Sequence, residues 1–136
     1  MTRQAGVSLI EVLIALLVLG IGILGMVALQ TRSLSLDRDA YLRSQAASLA
    51  YDLGDRVRAN EGQLGDYAIA LGDGAPSSGS LAKRDLADWL DDIAFTLPSG
   101  DGSVVVNGDE VVITVAWSSS PSLGGNQQRF ETWVRP

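Results

Sequence analysis

Cysteine and histidine are both missing from this 136-residue chain. The first absence excludes a disulfide framework and thiolate metal sites. The second removes the commonest general base near neutral pH and the commonest nitrogen ligand of metals, so serine–histidine and cysteine–histidine catalysis are excluded. Lysine occurs once, as Lys83, and the net charge is −6. Residues 1–36 carry +1, from Arg3 and Arg32 against Glu11, which leaves −7 on the remainder. An acidic body is a poor electrostatic match for nucleic acid, so no nucleic-acid partner is expected. No phosphate loop, nucleophile elbow or carboxylate pair of defined geometry occurs, and an enzyme is the weakest functional class. Asp101, Asp109 and Glu110 cluster near turns, yet the acid spacing of an EF-hand is lacking, so neither metal nor cofactor is expected.

What is present is concentrated at the start. Hydrophobic residues make up 46% of the chain, and the first thirty residues hold much of this share. About a hundred residues are left for one small domain, a size at which burial is only moderately efficient. Val12 to Leu29 is an uncharged run of eighteen apolar or glycine residues, about 27 Å of helix. Counted from Val7 it reaches about 34 Å, enough for a hydrocarbon core of roughly 30 Å. Twelve of the eighteen are Leu, Ile or Val, each worth roughly −0.3 to −0.6 kcal/mol on insertion. A charge at mid-membrane costs about +3 kcal/mol and one near the end costs less, so insertion wins despite Glu11.

Three readings compete for this segment. A secretory signal peptide would use Arg3 as its basic region, but the apolar stretch is too long and no small-x-small site follows it before Gln30. A plain single-span anchor gives no reason for Glu11. The third makes Glu11 functional, as intramembrane acids generally are, with a partner to be named.

The short polar leader ending in Gly6, followed by "VSLIEVLIALLVLGIGILGM", resembles the class III signal of type IV pilins and type II secretion pseudopilins. The resemblance implies cleavage between Gly6 and Val7 by a prepilin peptidase, and methylation of the new N-terminus at Val7. Residues 1–6 would then be the leader, 7–29 the transmembrane and filament-core helix, and 30–136 a periplasmic pilin-like domain. Glu11 falls at the family's glutamate, five residues into the mature chain. Val7 departs from the usual phenylalanine, while Gly6, the more restrictive determinant, is present.

Stacking the chains gives Glu11 a purpose. A mature N-terminus is a cation, poorly solvated in a membrane or an apolar filament core, and Glu11 of a neighbour would neutralise it. Such buried pairs seldom add net stability over apolar contacts, but an unpaired member costs several kcal/mol. The pair would therefore set register more than strength. Arg3 precedes the span while Arg32, Arg38 and Arg43 follow it, so charge counting does not orient it; the cytoplasmic N-terminus comes from the resemblance. Gly20, Gly22 and Gly25 each cost about 1 kcal/mol relative to alanine in a helix. They read either as close helix packing in a membrane or as a locally meltable stretch of the kind seen in assembled pilins. Many pilins break the helix here with proline, and this chain has none.

Beyond Gln30 the helical pattern continues. Leu34, Leu42, Ala46, Leu49, Leu53 and Val57 form one apolar stripe, with Arg38, Asp39, Arg43, Asp52, Asp55 and Arg56 largely off it. Asn60-Glu61-Gly62 reads as the stop, giving a helix over about 7–60, roughly 80 Å long. Gln63 to Gly79 reads as a loop. Ser80 or a neighbour caps a second helix with Leu86, Trp89, Leu90, Ile93 and Leu97 on one face, ended by Pro98. "SVVVNGDEVVITVAW" reads as a hairpin turning at Asn107-Gly108, with Val111, Ile113, Val115 and Trp117 on one face. Ser118 to Gln128 is a loop, and Arg129 to Val134 is a third strand with Phe130, Thr132 and Val134 sharing a face. A long helix, one additional short helix and an antiparallel meander make an α+β fold, which is also the pilin architecture.

"DLGDRVRAN", "DLADWLDDIAFTLPSGDGSVVV" and "RFETWVRP" resemble the PilV-type minor pilins, the type IV pilus modification proteins. That resemblance implies a low-abundance subunit that helps prime assembly and sits at or near the pilus tip, supporting twitching motility and surface attachment. Its implied partners are the prepilin peptidase, other minor pilins, the major pilin, the assembly machinery of the inner membrane and a candidate tip adhesin. It implies a single-pass inner-membrane protein that later enters the pilus. A minor pseudopilin of a type II secretion system is the alternative within the superfamily. A membrane-anchored ligand- or DNA-binding receptor is the alternative of another class. Asp85, Asp88, Asp91 and Asp92 read as a solvated helix face or a contact for a basic patch. Arg56 and Arg58 read as ion-paired or partner-facing. Trp89, Trp117 and Trp133 read as core or half-buried sheet residues, an exposed one being a candidate interface anchor.

Overall fold

The structure is a computed structural model that describes residues 8–119 and 125–136. Helix α1 spans Leu9–Ala59 and helix α2 spans Leu81–Thr96, with a short 3₁₀ segment, Glu61–Tyr67, between them. Three strands follow: β1 Asp101–Asn107, β2 Glu110–Ser118 and β3 Gln127–Val134. They form one antiparallel sheet in the order β1-β2-β3. The α+β fold with a three-stranded meander is therefore the one the sequence leads to. The chain divides into two compact units, Met1–Leu36 and Asp37–Pro136, and α1 supplies residues to both.

In the first unit α1 begins after Ser8, whose carbonyl accepts the backbone N–H groups of Glu11 (3.0 Å) and Val12 (3.3 Å). The apolar side chains from Leu9 to Leu29 are exposed throughout, as expected of a helix whose solvent is lipid or other helices. Where polar residues resume, Thr31 Oγ1 donates to the Val27 carbonyl (3.0 Å) and Ser35 Oγ to the Thr31 carbonyl (3.2 Å). Both hydroxyls are thereby satisfied by their own helix.

In the second unit α1 buries Leu42, Ala46, Ala50, Leu53, Gly54 and Val57. The stripe is real but differs from its sequence reading. Leu34 keeps the spacing yet is 70% exposed, Leu49 is only partly buried, and Ala50 and Gly54 join instead. At Gly54 an added β-carbon would lie 3.1 Å from a Val134 methyl, so a larger residue there would press on β3. The inner sheet face presents Val104, Val111, Ile113, Val115, Trp117 and Val134, all buried. The register pairs Val115 with Phe130, Ile113 with Thr132 and Val111 with Val134, so the faces read from alternation in β2 and β3 coincide.

Helix α2 adds Ala82, Leu86, Trp89, Leu90 and Ile93, with Leu97 at its C-cap. Trp89 lies against Gly102 of β1 so closely that any β-carbon there would overlap its six-membered ring. Only glycine fits. The indole N–H donates to the Leu49 carbonyl (2.9 Å), which ties α2 to α1 through a fully buried side chain.

Four local expectations change. Ser80 occupies the N-cap of α2, but its hydroxyl makes no capping bond and is buried without a hydrogen-bond partner among the described residues. The hairpin turns one residue later than the Asn107-Gly108 reading, because Asn107 pairs with Glu110 and leaves Gly108-Asp109 as the loop. Gly108 at φ 62° leads that loop, and a left-handed residue in first position suits a II′ turn, whereas a I′ turn needs two. The segment read as a loop from Gln63 holds part of the 3₁₀ segment and an antiparallel bridge, Ile69 to Val104, with bonds of 3.0 and 2.9 Å. That bridge covers part of β1's free edge. Finally, β3 starts at Gln127 rather than Arg129.

Candidate functional site

Gly6 and Val7, the expected processing residues, lie outside the described residues. Glu11 sits in the first turn of α1, where the positive end of the helix dipole favours a carboxylate. Its side chain is exposed and has no hydrogen bond or ion pair among the described residues. It shares its side of the helix with Val12, Ala15, Leu16 and Leu19, an apolar setting for one anion. Among the described residues nothing offers that anion a counter-charge.

Gly20, Gly22 and Gly25 have open space around them: a β-carbon at any of the three would meet nothing within 4 Å. No contact among the described residues requires them or offsets their cost in helix propensity.

In the body, a polar lock joins three elements. The Tyr67 hydroxyl, on a buried ring, donates to Asp85 Oδ2 of α2 at 2.7 Å. Asn60 Nδ2 donates to the same hydroxyl at 3.5 Å, and Arg56 pairs with Asp52 at 2.8 Å and reaches Asp85 at 3.9 Å. Asp85 is thus not part of a solvated face, unlike Asp88, Asp91 and Asp92, which are exposed. Arg56 and, through Asp55 at 2.8 Å, Arg58 are ion-paired. Nothing in the sequence pattern marks Tyr67, because it lies in a segment with no periodicity.

Burial, and then the bond to Asp85, raise the pKa of Tyr67 above its ordinary 10.0. A folded-state pKa above the unfolded one means that the stabilisation is complete below pH 10 and is lost as pH climbs through the folded value. We therefore expect the stability of the body to fall above pH 10 more steeply in the native chain than in Tyr67→Phe, read as urea midpoints across alkaline pH. At neutral pH the same substitution should cost about 1–2 kcal/mol, because it removes the donor from a half-buried carboxylate.

Two of the three turn-associated acids have partners. Asp101 accepts the Gly72 and Gly102 backbone N–H groups, each at 2.7 Å, and Glu110 pairs with Arg135 at 3.4 Å. Two of the three tryptophans are buried, Trp89 and Trp117, whereas Trp133 is 61% exposed on β3.

The arrangement offers surfaces and charges for association. Residues 1–27 match the family model of the prokaryotic N-terminal methylation motif, and residues 28–86 match that of type IV pilin Tt1218. No curated protein and no solved structure matches the chain.

Proposed function

From the type IV pilin superfamily membership that the two family matches support, we propose that the chain is a minor pilin of the PilV type. In this reading it helps prime pilus assembly and is built in at or near the tip, supporting twitching motility and attachment. A prepilin peptidase cuts between Gly6 and Val7, and Val7 becomes the methylated first residue. Residues 7–29 hold the chain in the inner membrane, N-terminus in the cytoplasm, until extraction. The remainder is periplasmic, and other minor pilins and the major pilin are its neighbours.

The observation that carries the reading is Glu11: one carboxylate, without a partner among the described residues, at the leading edge of a long exposed apolar helix. In a bundle of parallel chains it meets the N-terminal cation of a neighbour. That pairing selects one axial stagger, since any other leaves both charges buried and alone. Apolar packing alone would tolerate several. Gly20, Gly22 and Gly25 either admit neighbouring helices closely or let the helix loosen there as it leaves lipid. The PilV-type assignment draws on the resemblance of 52–60, 85–106 and 129–136.

Intact mass and N-terminal sequencing of the membrane-extracted chain test the processing. The expected product starts at methylated Val7. A chain beginning at Met1, or beyond residue 28, would sink the reading. A deletion strain should lose surface pili while still exporting its secreted enzymes, which separates pilus from secretion.

A further inference from the structure

The outer face of the sheet, opposite the one that receives α1, carries an apolar row. The register sets Val105 beside Val112 and Val112 beside Trp133, one residue from each strand. Direct cross-strand neighbours have β-carbons about 4.5–5.5 Å apart, so the three side chains form a continuous strip. Trp133 is 61% and Val105 50% exposed, and Val112 is partly so. The strand does not need tryptophan here for its own core, because the inner face is filled by Phe130, Thr132 and Val134.

Charge brackets the strip. On one side Asn107 lies beside Glu110, which is paired to Arg135 at 3.4 Å, and Asp109 is exposed in the adjoining turn. On the other side the row is Ser103, Thr114 and the exposed Glu131. Three carboxylates thus stand against one guanidinium around an exposed indole. Arg129 lies two rows away from Trp133, beside Ala116. Anionic lipid and nucleic-acid phosphates would meet this carboxylate excess, so the surroundings select against both. A cation fits. Its charge answers Glu131, and within about 6 Å of the ring it is also attracted by the indole face.

We propose that the Val105–Val112–Trp133 strip, with Glu131, docks a cationic surface of a neighbouring protein. An apolar patch of that protein covers the strip, and one of its arginines or lysines lies against Trp133 and Glu131. Exposed tryptophan ringed by polar residues is the residue type and setting in which binding energy concentrates. The proposal rests on the body alone and stands whether or not the filament reading does.

The test uses the full chain in its native membrane, with a photoreactive residue in place of Val105. The expected result is an adduct to one protein whose crosslinked peptide carries arginine or lysine. Trp133→Ala and Glu131→Lys should each lower its yield about tenfold or more, and Glu131→Gln about threefold. Reversing the partner's cation to glutamate should restore the adduct in Glu131→Lys. Both positions are exposed, so unchanged circular dichroism and protease resistance are expected of each variant. The proposal is overturned by an adduct with lipid alone, by no adduct, by a protein adduct indifferent to either Glu131→Lys or Trp133→Ala, or by failure of the partner reversal to rescue. Pilus counts play no part in the readout, so the two readings fail separately.

Discussion

Trp89→Ala lowers the stability of the body by about 3–5 kcal/mol, the range for truncating a large buried aromatic. Three losses combine in that figure. The ring is fully buried, its N–H is the donor that holds the Leu49 carbonyl at 2.9 Å, and its face fills the space that Gly102 leaves on β1. Removing it opens a cavity where α1, α2 and the sheet meet, and none of the three can close it without moving the other two. Trp89→Phe keeps most of the volume and loses the hydrogen bond, so it should cost appreciably less. The complementary change, Gly102→Ala, should also destabilise, because its methyl would enter the ring from the other side. Urea or thermal unfolding of the purified chain, followed by near-UV circular dichroism, reads all three. A Trp89→Ala variant within 1 kcal/mol of the native chain would show that the α1–α2–β1 junction is not the centre of the fold.

Glu11→Ala has the largest expected effect on assembly. Removing one member of a buried ion pair costs about 3–5 kcal/mol, because the remaining charge is left without a partner. In this chain the charge left behind would be the N-terminal cation of a neighbour. Expressed as a population, that is a loss of roughly a hundredfold or more in correctly docked subunits. The folded body should be unaffected, since Glu11 belongs to the other compact unit and carries no hydrogen bond or ion pair among the described residues. Glu11→Gln separates charge from size: a similar loss identifies the charge as the cause. Surface pili are counted by electron microscopy, and the membrane pool is checked by immunoblot for normal amount and processing. Pili at native numbers with Glu11→Ala would remove the register role.

Much of the architecture is readable from residue order because it follows from periodicity and punctuation. Leu86, Trp89, Leu90, Ile93 and Leu97 repeat at helical spacing and end at Pro98, and that helix runs Leu81–Thr96. Alternation in 111–117 and 130–134 assigns the two sheet faces correctly. The uncharged run and its single acid define the N-terminal helix. Each of these signals is local, and a local pattern suffices when the element's own geometry decides which side is apolar.

What periodicity cannot convey is what lies opposite. Leu34 obeys the same spacing as Leu42, yet one is exposed and the other buried. Ala50 and Gly54 are too small to announce themselves, yet both are buried, and Gly54 lies against Val134 of β3. Tyr67, Asp85 and Arg56 are widely separated in sequence and meet only when α2 folds back beside the end of α1. The turn slips by one residue because Asn107 pairs across to Glu110, and Ser80's hydroxyl is buried where a cap was expected.

The three tryptophans divide along the same line. Composition makes each a candidate for core or interface and cannot sort them. Folding buries Trp89 and Trp117 and leaves Trp133 on the outer row with Val105 and Val112. The membrane-length run and Glu11 are properties of consecutive residues, so order along the chain was enough to establish them. Which aromatic is exposed, and which carboxylates surround it, depends on strand register and on the helices covering one face of the sheet. Those are set by packing between distant segments, and only the folded body decides them.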